Sequence, residues 1–350
     1  MISLVIDIQS DLIQGALVSF HKGTPAKKLY SISASIPRKS RVTGDYMIKM
    51  MIRGVEDVVS NIMSKAKGLT SEPVHSVHYI LSSPWAVSQS KTVKVRYEKD
   101  TEISESIVND IIEDNRRSLV DKYEEDMILV EEKIFSVELN GYAVTDYNHK
   151  KAKTLEISFA FTLSSEKLIN KIRHSVSQII DIEKEHYHSS ILLQYLSSRS
   201  HSTHIEEYII AHVHGELTDI VVIKKGFTSH TASFPFGVST LVRKIASSLK
   251  NAIETASSTL ALYEDDKLDE THRSHVEKVL LSVMKGWHAE FGKSLEQMSK
   301  EIILPRKVYI ASGCEHCPLF HEALKNNGFD VTEKSTPLLE LYISTLSDMV

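Results

Sequence analysis

The stretch from Tyr208 to Phe236 fixes the frame of this chain. It reads as three short apolar strands joined by two tight connections. Residues 208–213 are an apolar run, His214-Gly215-Glu216 a turn, Leu217–Ile223 the next strand, Lys224-Lys225-Gly226 a second turn, and Phe227–Phe234 the third strand. Glycine in a connection supplies backbone angles that other residues resist. Pro235 and Gly237 then stop the sheet. The same plan begins at the amino terminus. A gapless shift of 205 residues carries Ile6-Asp7-Ile8-Gln9-Ser10-Asp11-Leu12 onto Ala211-His212-Val213-His214-Gly215-Glu216-Leu217, and it runs on through Leu17 over Val222. Identity is low, so the likeness is one of pattern. Internal repetition at this scale implies a duplicated domain; two unrelated hairpins are the alternative.

A chain of 350 residues suggests two or three domains. With 42% hydrophobic and 25% charged residues it has ample material for a core. The net charge of −5 argues against a nucleic-acid binder, which shows a basic balance. Asp7 and Asp11 interrupt the first apolar stretch and no basic region precedes it, so no secretory signal is read there. No apolar run approaches the length of a membrane-spanning helix. The expected location is the cytoplasm. The 17 histidines are scattered and expected to be mostly solvated, and Tyr187, between His186 and His188, is expected at the surface.

Between the two meanders the pattern changes. Asp45–Lys67 carries Met47, Met50, Met51, Val55, Val58, Val59 and Ile62 at helical spacing, and the methionines are read as core. Val74–Ser83 is strand-like and ends at Ser82-Ser83-Pro84-Trp85. Then come an alternating stretch (Lys91–Tyr97), a helix (Ser104–Val120), a strand region (Met127–Leu139) with the hairpin signal Asn140-Gly141, another alternating run (Thr154–Leu163) and a helix (Ser165–Ile180). Together they describe a compact α+β unit. Ser189–Ser198 is read as helical. After the central meander, 237–300 is almost all helical pattern, broken at 265–271. Ile303–Ala311 is read as a strand, Pro318–Asn327 as a helix, and Leu338–Leu346 as a short helix or strand.

Three stretches together resemble the actin-like ATPase superfamily, and within it the cell-division protein FtsA and the pilus-assembly protein PilM. Val5-Ile6-Asp7-Ile8-Gln9-Ser10 is similar to the first phosphate loop of that family. His212–Ile220 is similar to the second, and Val308–Gly313 to the element that contacts adenosine. The resemblance implies an α/β (α+β) chain with a duplicated actin-like, RNase H-like fold. Its parts are a first subdomain of 1–85 with 181–206, an inserted α+β subdomain at 86–180, a second subdomain of 207–253 with 306–350, and a small helical subdomain at 254–305. It also implies ATP and magnesium as ligands. Asp7, Ser10, Gly215, Thr218, Asp219 and Gly313 fit the nucleotide-binding pattern. Gln9, His212, His214 and Cys314 depart from it, where the family has glycine, aspartate, glycine and glycine. Bulky groups there would crowd phosphates, and a histidine is a poor magnesium ligand beside a carboxylate. A degenerate nucleotide site follows as the expectation, with hydrolysis lost or very weak. The contrasting reading is an active Mg-ATPase in which Asp7 and Asp219 serve magnesium and the attacking water. By resemblance the partner is a membrane-machine protein or its cytoplasmic peptide, in division or in pilus and secretion assembly. Self-association is a further implication, and 86–180 is the expected docking surface.

Two other constellations compete. Cys314-Glu315-His316-Cys317-Pro318 is a Cys-x-x-Cys between a strand and a helix, the layout of a thiol-redox protein. Fewer than 40 residues follow it, too few for a redoxin sheet. Cys314, Cys317, His316 and His321 have zinc-like chemistry but form a single cluster. His212 and His214 alternate on one strand face, as metal ligands or as half-buried strand residues.

Overall fold

The computed structural model describes residues 1–123, 126–200, 207–311, 316–333 and 337–349. The chain opens with strands β1 (Ile2–Ile8), β2 (Leu12–His21) and β3 (Thr24–Ser35), each antiparallel to the last. Helix α1 (Gly44–Leu69) follows. Its amino terminus is capped by Thr43, whose hydroxyl accepts from the Tyr46 amide at 3.3 Å. Met51, Val55, Val58, Val59, Ile62 and Ala66 bury one stripe of it against the sheet. The approach is close: a side-chain carbon at Gly15 of β2 would lie 2.3 Å from Val58 Cγ1. The chain then returns through β4 (Val74–Leu81), parallel to β1.

Here the antiparallel insertion begins. Strand β5 (Ala86–Ile103), helix α2 (Glu105–Val120), and strands β6 (Met127–Leu139), β7 (Tyr142–Val144) and β8 (Lys150–Ser165) form a four-stranded sheet ordered β5-β8-β6-β7. The Asn140-Gly141 turn has positive φ at both residues, 51° and 84°, as a two-residue hairpin demands. Helix α3 (Glu166–Ser177) turns away from this sheet. Leu168, Ile169, Ile172 and Val176 join the core of the first sheet beside α1.

Strand β9 (Lys184–Ser189) completes the first sheet, ordered β3-β2-β1-β4-β9. The sequence reading had no strand here and placed Tyr187 at the surface. Instead Tyr187 is half-buried and stacks on Tyr79 with centroids 4.9 Å apart. His78 and His188 are buried too, with His78 Nδ1 3.0 Å from His188 Nε2.

After α4 (Ser190–Ser200) come β10 (Tyr208–Val213), β11 (Thr218–Lys224) and β12 (Phe227–Phe234). The shift of 205 residues survives pair by pair: Asp7 faces Gln14 as His212 faces Asp219, and Ile8 faces Ile13 as Val213 faces Thr218. Helices α5 (Val238–Leu249), α6 (Ile253–Glu264) and α7 (Glu270–Ser299) then cover one face. Strand β13 (Lys307–Ile310), helix α8 (Cys317–Lys325) and strand β14 (Asp330–Glu333) finish a sheet ordered β12-β11-β10-β13-β14. Both sheets therefore share one strand order and one pattern of parallel and antiparallel pairs. The chain closes with helix α9 (Leu338–Ser347). Helices α4 and α9 lie between the halves. Leu193 and Tyr342 pack on the first sheet, and Ile191 and Tyr195 on the second.

The insertion is also fastened to the second half. Ser90 donates to Thr228 Oγ1 at 2.8 Å, and Thr231 donates to the Ser88 carbonyl at 2.7 Å. Phe135 of β6 packs against Tyr195 and Phe227.

Candidate functional site

The two equivalent turns, 9–11 after β1 and 214–216 after β10, meet between the halves. Each follows the carboxyl end of a central strand, where open α/β sheets place their ligand sites. Asp7 is fully buried at the end of β1, and its Oδ2 accepts from Gln9 Nε2 at 2.6 Å. Burial raises its carboxyl to about 7, against the opposing pull of the Gln9 amide and of His214. Among the described residues, Asp7 Oδ1 and His214 Nδ1 are both buried without a hydrogen-bond partner.

Asp219 is likewise fully buried. It holds His214 Nε2 at 2.8 Å and accepts from Ser233. His212 receives Gln194 Nε2 on its Nδ1 at 2.7 Å, and Gln194 also donates to Tyr342. The His212 and His214 rings lie 3.6 Å apart between centroids. Burial, then the neighbouring His214, holds His212 well below the usual imidazole range. Thr218 is turned the other way: it donates to the Phe236 carbonyl and accepts from Trp287 Nε1 at 2.9 Å.

The two turns face each other across the halves. The Gly215 amide donates to Asp11 Oδ1 at 3.0 Å, and the Glu216 amide to Ser10 Oγ at 3.1 Å. The His214 amide is spent on the Leu217 carbonyl at 2.8 Å. A cleft of about 620 Å³ opens beside these turns, lined among others by Gln9, Asp11, Arg38, His212, His214 and Ser257. Arg38 reaches across it to Ser239 and Ser257.

Asp7, Ser10, Gly215 and Asp219 are thus gathered at one place, while Thr218 serves the core next to it. Gly313 and Cys314 lie outside the described residues. Cys317 is buried at the start of α8, with its thiol 3.7 Å from the Ala311 carbonyl. His316 pairs with Glu264 at 2.5 Å. Among the described residues no three His, Cys, Asp or Glu side chains converge as a metal-binding group. Sequence reasoning missed Asp11, Gln194, Arg243 and Tyr342. The one available signal was that Asp11 occupies the position equivalent to Glu216 under the 205-residue shift.

No family model and no curated protein sequence matches this chain. Solved structures do. The PilM component of a PilM–PilN type IV pilus biogenesis complex superposes with a TM-score of 0.65 at 12% identity, over 95% of this chain and 88% of that one. The fold is that of the actin-like ATPases. The ethanolamine utilization protein EutJ from Carboxydothermus hydrogenoformans is more distant, with a TM-score of 0.49 at 13% identity over 99% and 88%. In that fold the chain is a duplicated α/β protein with an antiparallel insertion in its first half. The groups that would face a phosphate at the two turns already have partners within the chain. The amides of 214–216 are all engaged, and Asp7 is tied to Gln9.

Proposed function

We propose that this chain is a PilM-like scaffold of a membrane-associated assembly. It binds a short apolar segment of a membrane-machine protein and has a degenerate nucleotide site. The observation that carries the reading is an apolar groove of about 510 Å³ where α1 meets the insertion. Met47, Ile48, Trp85, Val87, Met127 and Leu168 line it, and Lys167 and Lys171 lie at its rim. The groove sits at the junction of the first half with the inserted sheet, and Val87, Met127 and Leu168 of its lining belong to the 86–180 segment expected to dock a partner. The PilM structure that superposes on this chain is a complex with PilN, and a peptide-binding surface is the corresponding expectation here. No described helix is long and apolar enough to cross a membrane. We place the chain at the cytoplasmic face, held there by its partner. Packing supports a division in which 86–165 forms the inserted unit and α3 belongs to the first half.

The test uses fluorescent peptides covering the cytoplasmic segments of membrane proteins encoded beside this chain. At least one should bind. Val87→Glu, which places a charge on a 37% exposed position in the groove, should weaken that peptide about tenfold or more. Leu281→Glu, on exposed α7, should leave binding unchanged. Equal loss in both variants, or no binding peptide at all, sinks the reading.

The open cleft beside the turns favours one second reading, a nucleotide-binding ATPase. Titration of the full chain with Mg-ATP separates the two. Micromolar, magnesium-dependent binding would overturn the degenerate site and leave the groove untouched.

A further inference from the structure

We propose that Ser10 and Asp11 form a built-in latch: their side chains occupy the anion-receiving amides of the 214–216 turn and clasp the two halves together without a bound phosphate. The proposal rests on the reading that the nucleotide site is degenerate.

Consecutive backbone amides in a turn make a receptor for anions. At 215 and 216 two such amides point to the first half and are met there by a carboxylate and a hydroxyl. The partners are 204 and 206 residues apart in sequence, so the contact joins the halves and does not merely shape one turn. An amide that donates to an ionised carboxylate makes a charge-assisted bond, stronger than a neutral pair.

The site is built around this contact. A side-chain carbon at Gly215 would lie 2.3 Å from Asp11 Cβ and 2.5 Å from its Cγ, so glycine is what admits the aspartate. From the other side the turn is pinned by α5. The Val238 and Ser239 amides donate to the His214 and Gly215 carbonyls at 2.9 and 2.6 Å. Gly237 is as tightly held, since a carbon there would meet the His214 carbonyl oxygen at 2.1 Å. Glu216 would repel Asp11 if left alone. Arg243 donates to the two carboxylate oxygens of Glu216 from Nη1 and Nη2, at 3.0 and 2.5 Å, and so offsets that charge. His214 is fixed in turn by Asp219.

The turn thus receives an oxyanion, and the chain supplies it from within. An external phosphate must compete with a tethered carboxylate at high effective concentration. Removing the carboxylate should expose the same amides to the same class of ligand, a phosphate-like oxyanion.

Thermal unfolding of the full chain, in phosphate and in chloride of equal ionic strength, tests this. Asp11→Ala should lower Tm by about 3 °C or more in chloride. Phosphate at tens of millimolar should return most of that loss, beyond any gain of the unaltered chain. Asp11→Asn keeps an acceptor oxygen but loses the charge, so its Tm should fall between those of Asp11→Ala and the original chain, with a smaller phosphate gain than Asp11→Ala. A Tm unchanged by Asp11→Ala, or equal phosphate gains in all three proteins, overturns the latch.

A second experiment does not depend on Asp11→Ala folding. Gly215→Ala alone should be strongly destabilising. Asp11→Gly removes the three atoms nearest the new methyl, so the double variant should be more stable than the sum of the single losses. Additive losses overturn the latch. Mg-ATP binding by the unaltered chain would instead overturn the degenerate-site reading, a separate readout from either result.

Discussion

The two halves share a strand order and a hairpin register but answer the same positions with different chemistry. After β1 the turn offers side chains, Ser10 and Asp11. After β10 the equivalent turn offers amides, at Gly215 and Glu216. A carboxylate is central in the first half at Asp7, and its equivalent in the second half is His212. Duplication built two like frames, and divergence made them donor and acceptor to each other. The helical cover differs as well. The first sheet has one long helix, α1, with α3 beside it on that face. The second carries α5, α6 and α7 around a single indole, Trp287. Each half also has one tryptophan with a bonded indole: Trp85 Nε1 donates to the Gln9 carbonyl in the first turn, and Trp287 Nε1 to Thr218 at the start of β11.

The largest expected asymmetry lies in those cores. Trp287 is fully buried and packs on Phe234, Phe291 and Phe320. Trp287→Ala should cost about 3–5 kcal/mol, through a cavity and an orphaned hydrogen bond to Thr218. Hydrogen exchange followed by mass spectrometry should show protection lost first in β10–β12 and α5, with β1–β4 retained. Uniform loss in both halves would mean that they unfold as one unit and that the contrast between their cores has no thermodynamic weight.

A smaller contrast is set by two glycines. Gly15 faces side chains, Val58 and Ile62, which can shift, whereas Gly237 faces the backbone of His214 and Gly215. Overpacking costs about 1–3 kcal/mol where neighbours cannot move. Gly237→Ala should fall at the upper end and Gly15→Ala at the lower, read as the difference in denaturant midpoint. The reverse order would show that the α5–turn contact is softer than its geometry.

What was readable in the sequence follows the range of the forces involved. The hairpins announced themselves because alternating apolar residues and turn glycines are local, and their repetition at 205 residues multiplied a weak signal. Helix α1 was legible from Met51 to Ile62 for the same reason. Strand β9 was not. Lys184–Ser189 reads KEHYHS, with no apolar alternation, because its inward residues are histidine and tyrosine that stack on His78 and Tyr79. The partners of α3 were hidden too. Its stripe at Leu168, Ile169, Ile172 and Val176 says that one face is buried and nothing about which sheet buries it. Ser10 was marked as a phosphate-loop residue, yet it holds the Glu216 amide. Asp11 drew notice only for its charge. Neither could be paired with residues some 205 positions away, since such a contact leaves no periodic trace.

The last contrast concerns pH, and histidines supply it in both halves. In the first, His78 lies between β1 and β9. Ser76, His186 and His188 surround it, Phe20 packs against it, and Glu131 stands beyond His188. Burial, then His188 and His186, lowers its pKa to about 3 from the usual 6.5. The unfolded chain therefore binds a proton that the folded chain refuses. The resulting stability is fully present above pH 6.5 and is lost as pH falls through the window toward 3. The limiting slope is about 1.4 kcal/mol per pH unit for one proton. His78→Phe removes that proton and keeps a ring against Phe20, so the plot of stability against pH should be flatter by up to this slope below pH 6. His212 in the second half, also depressed by burial, should keep its own share. Chemical denaturation at pH 7.5, 6.0 and 5.0 reads the difference. If the variant and the original chain lose stability in parallel, His78 is not the source of the acid sensitivity, and buried His212 in the second half is the one to replace next.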